Sequence, residues 1–335
     1  MPRCASQIIL CDVPIRFDTY AGCSHGCKYC FARKVRDIRE IKPDEGVEAL
    51  RHFINGERTQ ETRWCDWDIP IHWGGMSDPF QPCEKIHGRS LECLKLLRET
   101  QYPFIVSTKG KLVADDEYLD VIKDCNCIVQ ISAVCSEFDV LEQGCPSFEE
   151  RMEIVRKIAA TGTRVIVRIQ PYMTEVFNSV MQNIPRWADA GAYAVILEGM
   201  KYQRKKKGLV KVMGDFCYPK ERLAQDFEKI KAEAHRCGLK FYCGENRLRE
   251  MGDSLCCCGA DDMEGWKSNH YNFSHIINGD KPEPTESQLK AGTANPSFSQ
   301  TTIGSRRAKE MSFVEQMADI YNKNPKNIKE MFGKL

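Results

Sequence analysis

Apolar runs alternate with helical patterns along most of this chain, and that rhythm limits the folds open to it. Candidate strands are Asp68 to Gly74, Pro103 to Thr108, Cys127 to Val134, Arg164 to Ile169, Ala192 to Leu197 and Leu239 to Cys243. Helical stretches lie between them. In 84–100, Ile86, Leu91, Leu94 and Leu97 fall on one face. In 147–162, Ser147 and Glu150 form a capping box and Gly162 supplies the stop. Strand–helix alternation of this kind builds βα units and a parallel sheet, not hairpins. With the segment leading into residue 20, the count is six or seven strands. That is too few for an eight-fold barrel, so we expect an α/β fold of the partial (β/α)6 TIM-like barrel kind. Chemistry in such barrels gathers at the carboxyl ends of the strands.

We expect the barrel to occupy 1–243 and a C-terminal extension 244–335. The extension opens with Cys256-Cys257-Cys258 just past the last strand, at the catalytic end. It continues through a loop-rich stretch from Asn278 to Arg307 and ends in helical patterns at Phe313 to Tyr321 and Pro325 to Phe332. The 48 basic and 47 acidic side chains nearly cancel, which excludes a global field for nucleic acid and leaves only local patches. No apolar run approaches a membrane span, and Met1-Pro-Arg-Cys-Ala-Ser-Gln lacks a signal peptide's apolar centre, so a cytoplasmic protein is expected. In that compartment 18 cysteines point to metal or redox chemistry more than to disulfides. Scattered thiols such as Cys93, Cys125 and Cys127 read as small core residues.

Three cysteines stand apart, in Gly22-Cys23-Ser-His25-Gly26-Cys27-Lys-Tyr29-Cys30. The Cys-x3-Cys-x2-Cys spacing supplies three thiolates where a four-iron cluster takes four ligands. Packed or zinc-binding cysteines are the alternative, but His25, wedged in a glycine-containing turn, is poorly placed to close a tetrahedron. The segment resembles the radical S-adenosylmethionine (radical SAM) superfamily. That resemblance implies a 4Fe-4S cluster on Cys23, Cys27 and Cys30, with SAM chelating the open iron and being cleaved to a 5′-deoxyadenosyl radical. It also places Tyr29 along the adenine.

The residues closing each apolar run are then candidates for holding SAM. Gly74 and Gly75 permit close backbone approach, and the resemblance assigns such a pair to the methionine amino group, with Ser77 and Asp78 as polar partners. Lys109 suits the carboxylate through a charge-assisted contact, the alternative being a solvent-facing lysine. Ser132 and Arg168 are polar groups embedded in strand patterns. A buried arginine without a partner is costly, so Arg168 is expected to face the barrel mouth.

Together with Ser77-Asp78-Pro79-Phe80, Ser107-Thr108-Lys109 and Pro146-Ser147-Phe148-Glu149-Glu150-Arg151, the cysteine loop resembles the group related to spore photoproduct lyase. The likeness runs from about residue 15 to 200 and implies chemistry on a nucleobase in DNA. The lyases proper keep a hydrogen-donating cysteine shortly before the Ser-Asp pair, where this chain has Gly74-Gly75-Met76. Cys83 and Cys135 are the weak substitutes. An external reductant of the flavodoxin or ferredoxin type is implied as well.

Two further features complete the reading. Cys243 with Cys256, Cys257 and Cys258 is a candidate auxiliary metal site, iron–sulfur or zinc, or a set of free thiols. Neighbours in extended chain alternate sides, so at most two of the triplet would join Cys243. Lys201, Arg204, Lys205, Lys206 and Lys207, with Tyr202 among them, should hang over the barrel mouth. They suit a nucleic-acid backbone and a stacked base, or form a solvated loop. The leading expectation is a radical SAM enzyme acting on a nucleobase, by lesion repair, modification or rearrangement. The alternative is a small-molecule or peptide substrate.

Overall fold

The computed structural model describes residues 1–4, 11–34, 37–59, 62, 63, 65, 68–212, 215–267 and 286. The helical patterns expected at 313–321 and 325–332 and the stretch 278–307, Glu286 apart, lie outside them.

Seven parallel strands form the sheet in chain order: β1 (Ile15–Phe17), β2 (Ile71–Trp73), β3 (Phe104–Thr108), β4 (Cys127–Ser132), β5 (Arg164–Tyr172), β6 (Ala194–Gly199) and β7 (Lys240–Cys243). The short strand Arg3–Cys4 adds an antiparallel edge to β1. The expected fold is therefore present: a mixed α/β, partial TIM-type barrel. Its helices are α1 (Val47–Ile54), α2 (Glu84–His87), α3 (Arg89–Thr100), α4 (Asp116–Ile122), α5 (Phe148–Ala160), α6 (Phe177–Asp189) and α7 (Lys220–Arg236).

The stretch expected as one helix over 84–100 is two, because Gly88 at φ +63° turns the chain between α2 and α3. The capping box opening α5 is formed: Ser147 N–H donates to Glu150 Oε2 at 2.7 Å, and Glu150 N–H to Ser147 Oγ at 3.3 Å.

Strand periodicity divides the molecule into two apolar layers. Trp73, Phe104, Val106, Val129, Ile131, Val167 and Leu197 face the helices, each contributing roughly 1.5–3 kcal/mol on burial. Alternate residues face the lumen. Ile105, Ile128, Ile166, Ala194, Ile196 and Tyr242 make its apolar amino-terminal half. Two positions further along the same faces, the lumen turns polar toward the carboxyl ends.

The lumen is filled by the cysteine-rich segment. Cys256, Cys258, Ala260 and Met263 pack on those lumen residues together with Cys11 and Val13. Gln130 Nε2 donates to Cys258 O at 3.0 Å. Beneath, Asp262 Oδ2 accepts from Lys240 Nζ at 2.7 Å, from Tyr242 OH at 2.6 Å and from Tyr193 OH. Arg164, at the start of β5, donates to Asp262 O, and Asn126 to Glu264 O at 3.1 Å. The segment thus seals the amino-terminal end. The extension expected from 244 begins inside the barrel, and its cysteines lie below the catalytic end where the sequence placed them, because their apolar neighbours need the lumen's lining.

Candidate active site

Cys23, Cys27 and Cys30 lie on the loop that leaves β1. Gly22, at φ +81°, lets it fold back: a Cβ there would fall 2.2 Å from Glu40 O. Cys23 N–H donates to Ile38 O at 2.8 Å. His25 does not serve as a ligand here. Its Nδ1 lies 3.1 Å from Gly144 O and its Nε2 3.0 Å from Asp78 Oδ2. Among the described residues no three Cys, His, Asp or Glu side chains converge on one point, here or at the cysteine triplet. Cys27 Sγ instead lies 3.8 Å from Cys145 Sγ. The donor chemistry fits a four-iron cluster with one open iron: three thiols on one turn, no fourth ligand from His25, and glycines that let the backbone wrap closely.

Asp78 ties this loop to the strand ends. Its Oδ1 accepts from Phe80 N–H at 2.9 Å and Thr108 Oγ1 at 2.6 Å, and its Oδ2 from Lys109 N–H at 2.7 Å. Burial alone would raise its pKa, yet His25 and these donors bring it down to about 2. The same pair holds His25 above its ordinary value against burial. Ser77 is likewise committed, its hydroxyl donating to Tyr20 O at 2.5 Å. Gly74 adopts φ +83°, with space for a Cβ closed by Ser107 O at 2.3 Å. Gly75 lies over Arg16, whose Cδ is 3.2 Å from such an atom.

A second hub, unforeseen in the sequence, is Glu142. Tyr29 OH donates to it, Lys109 Nζ stands 3.8 Å away, and the fully buried Arg151 pairs with it. Burial raises the carboxyl to about 7, with Arg151 pulling the other way. Arg151 also donates to Ser132 O at 2.9 Å and Asp139 Oδ1 at 3.1 Å, joining β4 to the turn before α5. Lys109 Nζ lies 5.8 Å from the centre of the Tyr29 ring, so the two expected SAM contacts are neighbours. Ser132 is buried at the end of β4.

The lumen's polar half is a linked chain. Arg16 donates to His72 Nδ1; His72 Nε2 lies 2.8 Å from Ser107 Oγ; Arg168 Nη1 donates to that oxygen at 2.5 Å. Arg168 Nε donates to Gln170 Oε1 at 2.6 Å, and Gln170 Nε2 to Glu198 Oε2 at 2.8 Å. Burial lowers the Arg168 pKa; Glu198 opposes this and Arg16 reinforces it. Arg168 therefore does face the lumen below the mouth. Arg16 and His72 escaped the sequence reading, although each is a polar residue between apolar neighbours, the same signal that found Arg168.

The remaining candidates are spread out. Cys135 packs between the sheet and the helices, and burial pushes it up to about 12. Cys83 precedes α2, half-buried and raised by burial to about 11. Cys256 and Cys258 share one side, with sulfurs 3.7 Å apart. Cys243 turns its thiol to Glu245 O at 3.6 Å. Cys11, not Cys243, neighbours Cys257, which is drawn below its ordinary value by Cys11 and Cys258, with Arg249 and Arg16 adding to the effect. Lys201 pairs with Glu198, while Arg204, Lys205, Lys206 and Lys207 are exposed. They precede the antiparallel hairpin Val210–Val212 and Asp215–Cys217. Tyr202 is not open to a base: it is buried, its OH lies 2.8 Å from Tyr218 OH, and Lys206 covers its ring at 4.2 Å.

Residues 18–176 match the model of the radical SAM superfamily, so the chain carries a radical SAM domain. Members use a 4Fe-4S cluster and SAM and need a source of electrons. More particularly, the fold is similar to spore photoproduct lyase complexed with dinucleoside spore photoproduct (TM-score 0.54, 14% identity, 69% of this chain and 77% of that one). It is also similar to SuiB of Streptococcus suis bound to precursor peptide SuiA (TM-score 0.51, 10% identity, 69% and 49%). In sequence the chain is 25% identical over 213 residues to the protein Rv2578c of Mycobacterium tuberculosis, covering 58% of this chain and 62% of that one. Protein ORF301 of Acidianus two-tailed virus is 24% identical over 164 residues, 45% of this chain and 53% of its own length. The chain thus spans about 62% of the first of these relatives' length. Among the described residues no helix is long and apolar enough to cross a membrane.

Proposed function

We propose that this enzyme acts on a nucleobase within DNA, by modification, rearrangement or lesion repair. The observation that carries this is the exposed basic run Arg204, Lys205, Lys206 and Lys207, which follows the carboxyl end of β6. Those charges suit the phosphates flanking a base presented to the lumen. The spore photoproduct lyase structures, which hold a dinucleoside lesion, support the same class.

When bound, a cluster on Cys23, Cys27 and Cys30 and SAM supply a 5′-deoxyadenosyl radical. The protein's part is orientation. Gly74 and Gly75 would present backbone to the methionine amino group; Lys109 and Arg168 offer charge to its carboxylate; Ser132 offers a hydroxyl; Tyr29 offers a ring to the adenine. Asp78 and Ser77, also expected beside the amino group, spend their side chains bracing the loop. A flavodoxin- or ferredoxin-type reductant would supply the electron. Any auxiliary iron–sulfur or zinc site would draw on the triplet with Cys11. Cys135, packed in the layer between sheet and helices, is poorly placed as a hydrogen donor.

Anaerobic protein is reduced with SAM present and offered deuterated DNA, nucleosides and peptides in turn. Label reaching 5′-deoxyadenosine from DNA is the expected result. Label arriving only from peptide, as SuiB's bound precursor suggests for that enzyme, would replace the nucleobase reading. Lys205→Glu, Lys206→Glu and Lys207→Glu together should weaken DNA binding and flatten its salt dependence, each lost phosphate contact removing about 0.9 from the log–log slope.

A further inference from the structure

Cys145 plays no part in the function above, yet it is held against a residue that does. Lys28 N–H donates to Leu141 O at 2.9 Å, and Gly144 N–H to His25 O at 3.2 Å. His25 Nδ1 meets Gly144 O at 3.1 Å. A Cβ on Gly144 would fall 2.6 Å from Ser24 O, so the 141–145 turn sits as near the cysteine loop as backbone permits. This docking sets Cys145 Sγ at 3.8 Å from Cys27 Sγ, the reach of an S–H···S contact.

We propose that Cys145 stays a thiol and hydrogen-bonds the Cys27 sulfur, raising the reduction potential of the cluster held by Cys23, Cys27 and Cys30. The inference rests on those three residues being the ligands. Hydrogen bonds to cluster sulfurs are among the determinants of iron–sulfur potentials. A donor withdraws charge from the thiolate and so favours the reduced, more negative state. Thiolates on different irons of one cluster stand farther apart than contact, and the pinned turn has no room to retreat. Cys145 is therefore a donor to Cys27 and not a fourth ligand. Its role is that of a positioning residue.

The test is a potentiometric titration, followed by electron paramagnetic resonance, of the anaerobically reconstituted full chain and its Cys145→Ala and Cys145→Ser variants. With iron content equal, Cys145→Ala should be roughly tenfold harder to reduce, about 59 mV for a one-electron couple. Cys145→Ser keeps a donor and should stay near the wild type. An unchanged potential in Cys145→Ala, or an equal shift in both variants, would overturn the proposal. So would a wild-type spectrum that responds to SAM only after Cys145 is removed, which would make it a ligand. Failure of the ligand assignment itself looks different: Cys27→Ala would then keep its full iron, whatever Cys145 does.

Discussion

His25 Nε2 and Asp78 Oδ2 stand 3.0 Å apart, joining the cysteine loop to the carboxyl ends of the next two strands. The pair is almost wholly buried, at 4% and 7% exposure, so losing one partner strands the other in a dry site. It fixes Cys23 and Cys27 relative to Lys109, whose N–H the same carboxylate accepts.

Asp78→Ala should therefore destabilise the protein by about 3 kcal/mol, since it leaves a buried partner uncompensated. Urea unfolding of the metal-free chain measures the loss. Iron content after reconstitution should fall with it, and full iron uptake would show that the brace does not organise the thiols.

Gly74→Ala and Gly75→Ala should differ. At Gly74 the methyl meets Ser107 O at 2.3 Å on a backbone with φ +83°, and the left-handed conformation alone costs roughly 1–2 kcal/mol. At Gly75 it meets only the flexible Arg16 side chain at 3.2 Å. A fall in urea midpoint confined to Gly74→Ala is expected.

Arg168→Ala should weaken SAM binding by roughly 10- to 100-fold, the worth of one hydrogen bond to a charged group. Equilibrium dialysis of SAM against reconstituted protein reads this. Unaltered affinity would assign the lumen arginine to the substrate instead.

Asp262→Asn tests the segment that seals the barrel. Burial would raise this carboxyl, but the Lys240, Tyr193 and Tyr242 donors bring it to about 2 from 3.8. A depressed pKa stabilises the fold above the unfolded value, and that contribution disappears as pH falls through the folded one. The variant should lose about 1 kcal/mol at pH 7, discounted for partial exposure. Unfolding curves of variant and wild type should converge between pH 3.8 and about 2.

The sequence carried most of this arrangement where a signal is local. Parallel strands, the Ser147 cap and the cysteine spacing each depend on residues a few positions apart. Arg168 and Ser132 were legible as polar positions in long apolar strands. Arg16 and His72 send the same signal from three-residue strands, too short to establish a face. Glu142, Cys145 and Cys11 were not legible, because their meaning lies in partners more than 100 residues away: Tyr29, Cys27 and Cys257. Tyr202 misled for a related reason. Its neighbours in sequence are cations, but its neighbour in space is Tyr218.

The cysteine-rich segment that fills the lumen also governs traffic. With Asp262 fastened to Tyr193, Lys240 and Tyr242, the segment forms a floor at the amino-terminal end of the strands. On the proposed function, SAM seated in the lumen would have to arrive before a polymer resting on the rim, and its fragments would leave only once that polymer lifts, so the order of arrival and departure would be a property of the architecture.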